Sequence, residues 1–176
     1  TADPGRAPVV PGQPDGIIHC FDVFAPVPKD QWRDAELTED RLEFVRSWLA
    51  RAGLSHRAVF HKGDSAEQLA ACRDQIRGRP ADPNHPERHT GGVDFPLIDG
   101  DHTIKGALRD LQALEPMLNP GGYILLHDTF PDQCGDHLGP RHIIDHIESV
   151  AAGLYQLCEL YTAPLNYGMA LLRRIG

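Results

Sequence analysis

Hydrophobic positions along the chain gather into short blocks, and between the blocks they recur every three or four residues. GIIHCFDVF (16–24) is a compact apolar run that predicts a buried strand ending at Asp22. Residues 25–37 are Pro-rich and charged and read as a loop. Thr38-Glu39-Asp40 has the cap and acidic first turn of a helix, with Leu42, Val45, Trp48 and Leu49 on one face and Gly53 at its end. HRAVFHKGD (56–64) predicts a second strand, and Ser65 caps a helix that carries Leu69, Cys72 and Ile76 to residue 77. RGRPADPNHPERHTGG (77–92) has no periodicity and reads as a long surface loop. VDFPLID (93–99) is a third strand. A helix follows from Thr103 with Ile104, Leu108, Leu111 and Leu114 in register, and Asn119-Pro120-Gly121-Gly122 breaks it. YILLHD (123–128) is a fourth strand, 129–139 a loop, and RHIIDHIESVAA (141–152) a helix. YQLCELYTAP and NYGMALLRR, split by Pro164-Leu165-Asn166, read as a closing β-hairpin.

Strands alternating with helices imply an α/β fold with a mostly parallel sheet, helices on both faces and a C-terminal antiparallel hairpin. Residues 1–15 hold four prolines and no apolar period, so they read as a linker or loose arm before an α/β domain at 16–176. In such sheets ligands bind beyond the carboxyl ends of the strands. Each predicted parallel strand ends in an acid: Asp22, Asp64, Asp99 and Asp128.

Composition narrows the function without deciding it. The net charge is −8 and the 17 Lys and Arg are scattered, so no clustered basic face points to nucleic acid. No apolar run approaches the ~18 residues of a membrane span. Cys20, Cys72, Cys134 and Cys158 form no CxxC pair and read as reduced thiols of a cytoplasmic protein.

Each strand-end acid, taken alone, reads equally as the cap of the next helix; Asp64 or Ser65, and Asp101, suit that role. Four at corresponding positions favour a shared site. Asp22 has the placement of a carboxylate that accepts ribose hydroxyls, and Asp64 and Ser65 lie one unit further on, toward an adenine edge. Asp99 and Asp128 end strands expected to be adjacent, and two such oxygen donors suit Mg²⁺. His102, at the loop-to-helix turn, is a candidate general base, with an exposed helix-start histidine as the plain alternative. His127 alternates away from Asp128 on a strand and reads at least as well as a packed imidazole. His142 and His146, four apart, read as solvated helix positions, since no HExxH context supports zinc.

GIIHCFD, FHKGDS, VDFPLIDGDHTIKGALRDLQALEPMLNPGGYILLHDT and the closing YGMALL resemble a class I S-adenosylmethionine-dependent methyltransferase over residues 16–174. The nearest subgroup is that of small-molecule O-methyltransferases related to macrocin O-methyltransferase and cephalosporin-hydroxylase-type proteins. The most specific stretch is IDGDH, a helix ending in LNPGGY, and LLHDT. The resemblance implies a Rossmann-like sheet, S-adenosylmethionine as cofactor, often a Mg²⁺ that orients a substrate hydroxyl, and a small-molecule acceptor. It makes Asp22 the ribose-side acid, Asp64 and Ser65 the adenine side, Asp99 and Asp128 the metal pair, with Asp99 also beside the cofactor, and His102 the base. Thr129 stands where some metal-dependent relatives carry an amide or acid. Members of the family carry a first strand and a Gly-rich turn before the ribose-side acid. Here PGRAPVVPGQPDG occupies that place, so the chain is expected to be a piece of a longer protein.

Three functions follow as expectations: metal-assisted O-methylation of a small molecule; a non-catalytic binding or partner subunit of the same fold; and a metallohydrolase built on the Asp and His cluster. The acceptor is not legible in the sequence, and a homo-oligomer is allowed by it.

Overall fold

The computed structural model describes residues 16–25, 40–77, 91–130, 138–160 and 167–175. The arm at 1–15, Thr38 and Glu39, most of the 77–92 loop, His137 and the Pro164–Asn166 turn lie outside the described residues. The chain divides into two compact units, Thr1–Gln68 and Leu69–Gly176.

In the first unit, β1 (Ile18–Asp22) and β2 (Ala58–Lys62) pair in parallel, with Ile18 opposite Ala58 and Asp22 opposite Lys62. His19, Phe21 and His61 stack along this pair, with the Phe21 and His61 rings 4.4 Å apart and His19 Nδ1 3.0 Å from His61 Nε2. Burial pushes His61 below its ordinary pKa. Between the strands runs α1 (Arg41–Arg51), capped by Asp40, whose carboxylate accepts the Glu43 N–H at 2.9 Å. The apolar face expected of this helix is present in sequence, yet none of its residues is buried, and Trp48 instead lies under the Arg51 guanidinium at 3.9 Å.

α2 (Ser65–Arg77) begins in the first unit and continues into the second, where Leu69, Cys72 and Ile76 are buried at the expected spacing. Asp64, rather than Ser65, caps it: its carboxylate accepts the Glu67 N–H at 3.0 Å.

The second unit holds a four-stranded sheet ordered β3-β4-β6-β5. β3 (Leu97–Ile98) is parallel to β4 (Tyr123–His127), β6 (Met169–Arg174) is antiparallel to β4, and β5 (Tyr155–Leu160) pairs antiparallel with β6. The hairpin therefore folds back so that its second strand inserts beside β4. The strand expected over 93–99 is shorter: Pro96 has no N–H to donate, Val93 makes only an isolated parallel bridge to Leu118, and regular pairing begins at Leu97.

Two helices cover one face of this sheet. α3 (Ile104–Leu114) places Ala107, Leu111 and Leu114, and α4 (Gly139–Val150) places Ile143, Ile144 and Ile147, in one cluster with Ile98, Ile124, Leu126, Ala170 and Leu172. Ile124 and Leu126 alternate with more exposed neighbours along β4, as a pleated strand requires. α4 starts two residues before the expected Arg141, because Pro140 fits a first-turn position where its missing N–H costs nothing.

Candidate active site

The parallel register fixes where the strand-end acids lie within each unit. In the first, Asp22 closes β1 and the Gly63 N–H donates to its backbone carbonyl at 3.0 Å, so Asp22 and the Gly63-Asp64 turn share the carboxyl edge of the pair. Asp22 Oδ1 accepts the Phe24 N–H at 2.6 Å, a local turn that accompanies the left-handed Phe24 backbone (φ 49°), and Oδ2 lies 3.5 Å from the Arg41 guanidinium. Asp64 is engaged as a cap. Both acids thus carry structural contacts, while Asp22 keeps a partly exposed oxygen.

In the second unit the expected pair does meet. Ile98 and Leu126 are register partners, and Asp99 and Asp128 follow β3 and β4 on the same edge. His102 Nε2 lies 2.9 Å from Asp128 Oδ2 and 3.4 Å from Asp99 Oδ1. One ligand atom from each of Asp99, His102 and Asp128 lies within 4.8 Å of the others, the one such group among the described residues. Asp128 is 13% exposed and anchors the cluster, whereas Asp99, at 43%, faces solvent.

Two backbone features put His102 there. Asp101 does not cap α3; its carboxylate accepts the Thr103 N–H at 2.9 Å, and Thr103 is the cap, accepting the Gly106 N–H at 3.0 Å. The Gly139 N–H, at the start of α4, donates to the His102 carbonyl at 2.8 Å. A Cβ on Gly139 would stand 2.6 Å from that oxygen, so only glycine permits this approach.

His127 corrects the sequence reading. Its Nδ1 lies 3.3 Å from Asp99 Oδ1 and 2.9 Å from Asp128 Oδ1, so it joins the cluster instead of packing away from it. Alternation fails because β4 ends at His127 and Asp128 adopts a left-handed backbone (φ 55°), which swings its side chain back toward its neighbour. A His-Asp dipeptide closing a strand was the available signal, but a period-two pattern carries no information about the residue that breaks it. Beside them Thr129 is fully buried, and its hydroxyl has no hydrogen-bond partner among the described residues. On α4, His146 is exposed and His142 half-buried, as expected of a helix surface.

The donors fit a divalent ion. Carboxylate oxygens and imidazole nitrogens converge, and Asp128 Oδ1 and His127 Nδ1, although buried, make no hydrogen bond among the described residues. A His-Asp cluster at the carboxyl edge of β3 and β4 and an antiparallel closing hairpin place the second unit in the α/β class of proteins.

More particularly, the chain belongs to the methyltransferase domain family, which its residues 9–129 match. No curated protein matches it. Solved structures with the same fold include the O-methyltransferase TomG from Streptomyces achromogenes, involved in tomaymycin synthesis and solved with SAM (TM-score 0.62, 16% identity, 93% of this chain and 64% of TomG). The O-methyltransferase from Bacillus cereus in complex with SAH gives 0.54 at 16% identity, over 92% of this chain and 76% of that one. The O-methyltransferase NovP gives 0.56 at 14%, over 91% and 60%. The chain thus spans less than two thirds of the length of TomG and NovP. Among the described residues no helix is long and apolar enough to cross a membrane.

Proposed function

We propose that this chain transfers a methyl group from S-adenosylmethionine to a hydroxyl of a small molecule, with a divalent ion assisting. The observation that carries the reading is the convergence of Asp99, His102 and Asp128 beyond a parallel strand pair in a methyltransferase-domain chain. Asp99 and Asp128 would hold the ion, which would make the acceptor hydroxyl more acidic, and the bound sulfonium cofactor would supply an activated methyl. The protein's own work is alignment and proton transfer.

His102 takes the hydroxyl proton, and Asp128 Oδ2 at 2.9 Å and Asp99 Oδ1 at 3.4 Å from its Nε2 offset the charge of the imidazolium so formed. The reading assigns Asp22 to the ribose hydroxyls, Asp64 and Ser65 to the adenine side, and Asp99 to the rim between cofactor and ion. The reading includes a cytoplasmic location; among the described residues Cys20, Cys72 and Cys158 are free thiols.

Release of S-adenosylhomocysteine, followed across phenol, catechol and sugar hydroxyl acceptors, tests the reading. Turnover is expected to fall about 100-fold or more in His102→Ala, in the range of a lost general base, and to vanish in Asp128→Ala. Unchanged turnover in Asp128→Ala refutes the metal-assisted mechanism. Failure of every acceptor, with no binding of S-adenosylhomocysteine, favours a non-catalytic relative of the fold.

A further inference from the structure

The end of β4 opposite to the Asp99–Asp128 edge carries a second opening. A short turn at Glu115–Met117 leads toward β4, β6 ends nearby at Arg174, and α2 ends at Arg77. They border a cavity of about 380 Å³ that lies wholly within the unit Leu69–Gly176. A volume of this size is typical of small-molecule sites. Backbone sets its walls. Gly92, on the lining, has a left-handed backbone (φ 100°) and its N–H donates to the Ile76 carbonyl at 3.2 Å. A Cβ there would stand 2.7 Å from the Met117 carbonyl, so the cavity keeps its shape only with glycine at this position. Charge gives it its chemistry. Acids outnumber bases 25 to 17 along the chain, yet among the described residues the lining holds two arginines, Arg77 and Arg174, and no carboxylate. Arg174 Nη1 donates to the Glu115 and Leu118 carbonyls at 3.0 and 2.9 Å, which fixes the plane of the guanidinium. The Glu115 carboxylate is engaged elsewhere, accepting the Tyr155 hydroxyl at 3.0 Å.

We infer that this cavity binds a small organic phosphate, with the phosphate against Arg77 and Arg174 and the organic body on the apolar wall of Pro116 and Met117. A guanidinium presents a planar fork of donors that matches two phosphate oxygens, and two such cations balance a phosphate dianion. The site is separate from the Asp99–Asp128 edge. The two lie at opposite ends of β4, a strand of five residues and about 16 Å. The assignment goes beyond methyl transfer and stands or falls without it.

Two measurements on the full chain test this. In calorimetric titrations phenyl phosphate should bind saturably, inorganic phosphate more weakly for want of a body, and the neutral dimethyl phenyl phosphate not at all. Arg77→Gln should weaken phenyl phosphate about tenfold or more, the effect of losing a charge-assisted hydrogen bond. Arg174→Gln should do the same, but it also strips two backbone carbonyls of their donor. The exposed Arg77 therefore decides the question if the Arg174 variant does not fold. In ¹H–¹⁵N spectra, phenyl phosphate should move the amide signals of Gly92 and Asn119 and leave those of Asp99 and Asp128 in place. No saturable binding, or an affinity unchanged in Arg77→Gln, overturns the assignment. Signals that move only at Asp99 and Asp128 overturn it too, since the phosphate would then sit at the other end of β4. Benzoate bound as tightly as phenyl phosphate overturns the choice of phosphate.

Discussion

Gly139 decides more about the site than any charged residue beyond it. Its N–H holds the His102 carbonyl at 2.8 Å, and a Cβ there would come to 2.5 Å from the Thr103 oxygen and 2.6 Å from that of His102. Those are backbone atoms and cannot swing aside, so Gly139→Ala must push the 102–103 segment away from α4. Asp99 and Asp128 depend on β3 and β4 and stay in place. The expected outcome is a loss of turnover of about tenfold or more through misplacement of the base, with divalent-ion affinity nearly unchanged; an equal loss of both would mean that the sheet edge itself had moved. The acids and His102 were legible as residues because composition and strand-end position reveal them. Gly139 was not, because a close approach between chain segments 37 residues apart leaves no local mark, and it stood inside what read as loop and helix start.

Among elements, α3 and α4 were predictable and α1 only in part, for one physical reason. Leu111, Leu114, Ile143, Ile144 and Ile147 repeat at helical spacing and find a sheet face to bury against, so period and packing agree. Leu42, Val45, Trp48 and Leu49 have the period too, but α1 buries none of them. Periodicity specifies a face; it does not specify what covers it. Boundaries followed backbone chemistry that patterns miss: Pro96 shortened β3, Pro140 advanced α4, and the caps fell to Asp64, one of the two residues the sequence offered, and to Thr103 instead of Asp101. Leu111 is the element-scale test. It lies at the centre of the α3 face at 2% exposure, so Leu111→Ala should cost about 3 kcal/mol through lost burial and a residual cavity. Chemical denaturation read by tyrosine signals of the second unit measures it. Val45→Ala on α1, by contrast, should change stability by less than about 0.5 kcal/mol.

At the scale of the whole molecule, the residues assigned to the cofactor divide by number between the units: Asp22, Asp64 and Ser65 belong to Thr1–Gln68, and Asp99 belongs to Leu69–Gly176. The chromophores happen to divide in the same way. Both tryptophans, Trp32 and Trp48, lie in the first unit, and all four tyrosines, Tyr123, Tyr155, Tyr161 and Tyr167, lie in the second. Near-ultraviolet dichroism can therefore follow the melting of each unit in one sample. A ligand that binds only the folded state at 100 times its dissociation constant adds about 2.7 kcal/mol of stability. For a chain of 176 residues that raises a melting midpoint by about 5–10 °C. S-adenosylhomocysteine should raise the tryptophan midpoint, and Asp22→Ala should reduce that shift, since Asp22 is the acid assigned to the ribose. A shift confined to the tyrosine transition would detach Asp22 and Asp64 from the cofactor and leave the Asp99–Asp128 edge as the whole binding site.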